Sequence, residues 1–353
     1  MPILISVTVH NWSAALTELP KVELYVHLEG MMRIDTVREL ARKNGVPLPP
    51  HPFGHLFEYE DRREFLDVMA LVQSVLRTRQ DWALLAYEST LDAAASGVVH
   101  REVSFSPARH LASGVPLADV VAGIDDGMTA GEKETGMVTR MICDIDRIFG
   151  PVAALEQVEV LAGLKRERSH GSDRVIGIGM DGTDLDGDPA AFAEVYELAR
   201  SVGLHRTAHV GSVSSSSIST ALDDLGCERI DHGIAVLDDP ALVERMVAQR
   251  IPLNVSPSED VRVDPSSGSL AAHAFPRLRA AGLLVTLNSG EPALTGVSLG
   301  EEYRSASRAF GLDWDSMVSL ALAGVEAAWL ADEERHRLVQ RIVHAAAALR
   351  PAA

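Results

Sequence analysis

The chain has 353 residues, 46% of them hydrophobic and 23% charged, with a formal net charge of −18. That is enough material for a large core, and one barrel-sized domain spanning 1–353 is the default expectation. The negative charge, with no basic stripe to offset it, argues against nucleic acid and anionic membranes as partners, and no apolar run approaches the roughly 20 residues of a spanning helix.

In chain order, MPILISVTVHNW lacks a basic n-region and a small-residue cleavage pattern, so a cytoplasmic protein is expected. Eight strand-like runs then recur, each followed by helical character. They lie near 21–28, 98–105, 138–145, 174–180, 205–210, 228–233, 251–256 and 283–289. Helical spacing is clearest in FLDVMALVQSVL at 65–76 and PAAFAEVYELARSV at 189–202, and the part from about 300 to 350 is almost wholly helical in pattern. Eight β/α units without an interdomain linker predict an α/β fold, a TIM-type (β/α)8 barrel with additional C-terminal helices. Cys143 and Cys227 have no paired spacing and read as buried thiols. DGTDLDGD at 181–188 lacks the spacing of a calcium loop and reads as a helix-capping turn, as does the serine cluster from Ser214 to Ser217.

Function in such barrels gathers at the C-terminal ends of the strands. Those ends carry Tyr25, His27 and Glu29; Asp144 and Asp146; Asp181; His209 and Ser212; Asp231 and His232; Asn254 and Ser256; and Asn288, Gly290 and Glu291. A single histidine there is commonly a satisfied structural residue, whereas three on three strand ends can converge on one pocket.

LPKVELYVHLEG at 19–30 resembles the opening of the adenosine/adenine deaminase family, within the amidohydrolase-type superfamily. YEDRREFLDVMALVQSVLRT, EVSFSPARH, VIGIGMDG, GLHRTAHVGS, RIDHG, LNSGEPALTGVSLGEEY and LALAGVEAAWL follow in that family's order and spacing. The resemblance implies a zinc ion held by two histidines of the first strand, one after strand five and an aspartate after strand eight. At those positions this chain has Tyr25, His27, His209 and Gly290. A phenol with a pKa near ~10 is a poor substitute for imidazole, so no cofactor is expected, with His27 and His209 the remaining candidate ligands. The family's proton-donating glutamate is replaced by Ser212, which stays neutral near physiological pH.

By the same resemblance His232 is a catalytic histidine and Gly182 the glycine that approaches a purine. Glu291 stands at a substrate-facing carboxylate, and Glu29 places the chain nearer the adenine-type branch. His232, Glu291 and Tyr25 are thus the expected catalytic residues, and Glu29, Gly182, Ser212, His27 and His209 the expected substrate-binding ones. The function expected is hydrolysis of a purine-like nucleoside or base without zinc, with glycosidic-bond cleavage as one form of it. A non-catalytic purine-binding protein and a purine deaminase with a rearranged metal site are the alternatives. Oligomeric state is left open.

Overall fold

The computed structural model describes residues 11–49, 55–182, 185–264 and 268–351. Most of the N-terminal segment and residues 183–184 of the 181–188 loop lie outside the described residues.

Among the described residues, nine short strands run parallel to their neighbours: β1 Lys21–Glu23, β2 Val98–Phe105, β3 Val138–Asp146, β4 Val175–Asp181, β5 His205–Arg206, β6 His209–Val210, β7 Ile230–His232, β8 Pro252–Val255 and β9 Leu284–Leu287. β1 to β5 form one sheet in sequential order and β6 to β9 a second. Each is separated from the next by helical chain, except β5 and β6. β2, VVHREVSF, is buried along its whole length with both faces covered, although His100, Arg101, Glu102 and Ser104 are polar or charged and must be paired inside the fold.

The sheets meet at two seams. Thr207 N donates to Ile178 O at 3.0 Å on one side. On the other, His27 N donates to Gly290 O at 2.9 Å and Gly290 N to Tyr25 O at 3.3 Å, so the ends of the first and last strands lie together. The expected TIM-type α/β class is the one observed.

Two strands differ from their expected extents for identifiable reasons. The run at 21–28 is a ladder only over Lys21–Glu23, because Leu24 N and Tyr25 N both donate to the Asn288 side-chain oxygen, at 2.9 and 3.1 Å. Val26 and His27 then rejoin as isolated bridges to Gly290 and Ser104. The run at 205–210 is split because β5 pairs with β4 while β6 pairs with β7.

The C-terminal helices Leu299–Phe310, Trp314–Ala327 and Asp332–Leu349 add to the helical layer, the second supplying Trp314, Met317 and Leu320 to the core. Among the strands Arg229 and Glu102 form a fully buried ion pair. Trp329 covers the pair, its ring 3.6 Å from the guanidinium and its backbone N–H donating to Glu102 Oε1 at 2.7 Å. Ser214 caps the helix Ser215–Asp223 and Asp188 caps the turn Pro189–Phe192, and both cysteines are free and buried. Among the described residues no helix is long and apolar enough to cross a membrane.

Candidate active site

The strand ends bring Tyr25, His27, His209 and His232 into one cluster. The Tyr25 ring lies edge-on to all three imidazoles, with centroids 5.5, 5.0 and 5.1 Å away. His27 Nε2 and His209 Nε2 are 3.0 Å apart. His209 Nδ1 stands 2.7 Å from Met180 O, so it carries the proton and leaves the Nε2 lone pair facing His27. Arg147 fixes the same strand end by donating to His209 O at 2.5 Å.

Carboxylates ring these histidines. Asp144 Oδ2 is 3.8 Å from His27 Nδ1, and Glu291 Oε1 is 3.7 Å from His27 Nε2. Burial alone would discharge His27, but Glu291, Asp181, Asp144 and Glu29 outweigh it and push it up to about 9. His209 moves the opposite way, lowered by its own burial and then by the neighbouring His27. Asp144 is held well above the usual carboxylate range by burial, and its Oδ2 has no hydrogen-bond partner. His27, Asp144 and His209 each offer a donor atom, all within 4.8 Å of one another.

A second chain of hydrogen bonds leads away from Tyr25. Its hydroxyl is 3.0 Å from His232 Nε2 and 3.2 Å from Glu259 Oε1. His232 Nδ1 is 3.0 Å from Asp260 Oδ1, and Asp260 Oδ2 is 3.1 Å from His273 Nε2. Phe275 N donates to His273 Nδ1, so His273 holds its proton on Nε2 and donates to Asp260. Burial opposes ionisation of Asp260, but the bonds from His232 and His273 bring it down to about 2. Burial likewise opposes charging of His232, and Asp260 more than compensates, leaving that imidazole raised. His232 has φ +68, a left-handed conformation uncommon outside glycine, which this network holds in place.

The sequence reading did not single out Glu259, Asp260 or His273. Glu259 and Asp260 lie in the first turn of the helix Pro257–Val263, just beyond the strand end at Ser256. Their signal was the Pro-Ser-Glu-Asp sequence opening a helix after a strand.

The other expected residues are spread around this centre. Glu29 is buried, accepts from Ser106 N at 2.9 Å, and is pushed up to about 7 by burial. Ser106 Oγ in turn donates to Asp181 at 2.8 Å. Gly182, at φ +94, passes against Arg147, where a Cβ would lie 2.9 Å from its Cγ. Ser212 is exposed. A cavity of about 450 Å³ lined by Met31, Arg33, Asp92 and Pro292 lies apart from the histidines.

The adenosine deaminase family model matches residues 20–345. The chain belongs to the adenosine deaminase family. It is 36% identical over 327 residues to an adenine deaminase of Streptomyces coelicolor, covering 92% of this chain and 94% of that one. The crystal structure of an adenine deaminase from Arthrobacter aurescens superposes with a TM-score of 0.86 at 31% identity, over 92% of this chain and 98% of that one. An amidohydrolase from Burkholderia ambifaria, solved with bound zinc, gives a TM-score of 0.87 at 29% identity, over 96% and 95% of the two chains.

These findings correct the expectation of no cofactor. A zinc-containing relative shares the fold over nearly the whole chain, and His27, Asp144 and His209 stand as a set of metal-capable donors. The expectation failed because it counted Tyr25 and Gly290 as losses without carboxylates that approach from other elements. The donor chemistry fits a divalent ion. Two imidazoles on one tetrahedral ion, with bonds of about 2.0–2.1 Å, stand about 3.4 Å apart, and His27 and His209 stand at 3.0 Å. The His209 tautomer is fixed by a backbone carbonyl, as outer partners of metal-bound histidines commonly do.

Proposed function

We propose that this chain is a metal-dependent aminohydrolase that removes the amino group of a purine-type base or nucleoside as ammonia. The observation that carries the reading is the meeting of two groups of residues at Tyr25. One is the pair of facing imidazoles, His27 and His209, among buried carboxylates, and the other is the Asp260–His232 pair. The similarity to adenine deaminases over about nine-tenths of the chain supports a purine-type substrate.

His27 and His209 would hold a divalent ion, which when bound would supply the Lewis acidity for water activation near neutral pH. His232 is anchored through Nδ1 by Asp260, so its Nε2 is the atom at which a proton is held or released during attack on the carbon bearing the amine. Glu29, placed near neutrality by burial and with Oε2 unpartnered, can exchange a hydrogen bond with a ring or exocyclic nitrogen. The near-complete burial of Tyr25, His27, His209 and Glu291 keeps bulk water from the reacting groups. Water and substrate give the oxo product and ammonia.

The test is mass-spectrometric product analysis with adenine, adenosine and deoxyadenosine, paired with ammonia measurement and chelator treatment. The expected result is replacement of the amino group by oxygen, loss of turnover in chelator and recovery on adding a divalent ion. Released free base without ammonia, or turnover indifferent to chelator and metal, would refute this function.

A further inference from the structure

Asp260 is held by two imidazoles at once. Its Oδ1 stands 3.0 Å from His232 Nδ1 and its Oδ2 stands 3.1 Å from His273 Nε2. A carboxylate bonded through one oxygen can still turn about its Cβ–Cγ bond, a soft and roughly two-fold torsion. A second bond on the other oxygen fixes the plane of the group. Burial opposes the charge on Asp260, and the bonds from His232 and His273 bring it down to about 2, so both are charge-assisted.

His273 is itself fixed from behind. It follows the turn Leu270–Ala272 and precedes the helix Phe275–Ala280. Phe275 N donates to its Nδ1 at 3.1 Å, so the ring proton lies on Nε2, facing Asp260. Phe275 is fully buried, and its ring stacks on Phe310 with centroids 5.4 Å apart. The far end of this chain of bonds is thereby tied to the core. Its near end is His232, whose Nε2 lies 3.0 Å from the Tyr25 hydroxyl. With Asp260 Oδ2 taken by the His273 proton, Oδ1 is the oxygen left for His232. That places the His232 Nδ1 proton on Asp260 and leaves Nε2 towards the reacting groups.

We propose that His273 is a positioning residue for His232, its Nε2–H bond setting the plane of the Asp260 carboxylate that orients the His232 imidazole. It acts through Asp260 and not on the substrate. The competing role is the bond that Nδ1 accepts at the start of the helix Phe275–Ala280. The two roles use different nitrogens, so substitutions separate them. Glutamine carries an amide N–H near the place of Nε2 and can keep the bond to Asp260, whereas asparagine sets its amide oxygen near the place of Nδ1 and can keep the bond from Phe275 N.

The kinetic half of the test rests on the aminohydrolase reading above, and the spectroscopic half does not. In steady-state ammonia release, His273→Asn is expected to lower kcat by roughly 10- to 100-fold, the worth of one hydrogen bond to a charged group, with KM near the wild-type value. His273→Gln should restore most of that loss. In an Asp260→Asn background, His273→Asn should cost nothing further, because the carboxylate through which it acts is gone. Independently of turnover, the full chain carrying isotope-labelled histidine is observed by proton–nitrogen NMR. A hydrogen-bonded, downfield proton is expected on His232 Nδ1, assigned by its loss in His232→Gln. It should persist in His273→Gln and shift or broaden in His273→Asn. Melting temperatures check that each variant folds.

A His232 Nδ1 proton unchanged in His273→Asn would overturn the proposal, as would a kcat lowered by His273→Gln and spared by His273→Asn, which would make His273 a helix cap. Losses that add in the Asp260→Asn background would overturn it as well. A wild type that releases no ammonia would refute the proposed function, and the NMR comparison then decides the positioning role by itself.

Discussion

Removing the Tyr25 hydroxyl by Tyr25→Phe tests how the two halves of the site are joined. The ring is buried and keeps its packing, so the substitution opens no appreciable cavity. It deprives His232 Nε2 and Glu259 Oε1 of their 3.0 and 3.2 Å contacts. Leaving buried polar atoms unpaired costs about 1–3 kcal/mol. Unfolding entropy of about 2.1 cal/mol/K per residue makes that a fall of roughly 1–4 °C in melting temperature for a chain of this length. If the hydroxyl positions His232 for proton transfer, the same loss falls on the barrier and lowers kcat by roughly 5- to 150-fold. KM should change little, since no substrate contact is removed. Scanning calorimetry and steady-state ammonia release measure the two effects on one preparation. An unchanged kcat with a lowered melting temperature would make Tyr25 a packing residue and refute its place in the relay.

Asp260→Asn should lower kcat by about 100-fold or more while the fold persists, because His232 loses the carboxylate that fixes its tautomer and stabilises its charged form; near-normal turnover would count against His232 as the proton-handling group. Gly290→Ala should lower the melting temperature through the clash with Glu259 and the φ of +65. Combining it with Glu259→Ala should recover about 1 kcal/mol or more in a double-mutant cycle, and strict additivity would contradict the contact. Burial opposes ionisation of Glu102, but Arg229 holds its carboxyl down to about 2. Its folded value lies below its unfolded one, so this stability is present above about pH 4.3 and lost as pH falls towards 2. It amounts to roughly 3 kcal/mol. Glu102→Gln should remove that acid dependence and destabilise the protein at neutral pH by about 3–5 kcal/mol by leaving Arg229 buried and unpaired. Acid-titrated denaturation curves check both effects.

Much of the fold was legible because its signals are local. The eight strand-and-helix periods, the caps at Ser214 and Asp188 and the order of the motifs all follow from short-range patterning. So did the set of polar strand ends, since β strands in such a barrel deliver their C-terminal residues to one face. What sequence could not supply was distance. Tyr25 and Gly290 looked like two lost ligands because each was read on its own strand. Folding sets Glu259, from the turn after β8, into the volume that a side chain at 290 would need. The same closure brings His27 to His209 across 182 positions and Tyr25 to His232 across 207. Sequence thus determined which chemical groups the chain owns and which face they share. Only the tertiary structure decided which carboxylates stand beside which imidazoles, because coordination and proton transfer depend on separations of a few ångströms between residues hundreds of positions apart.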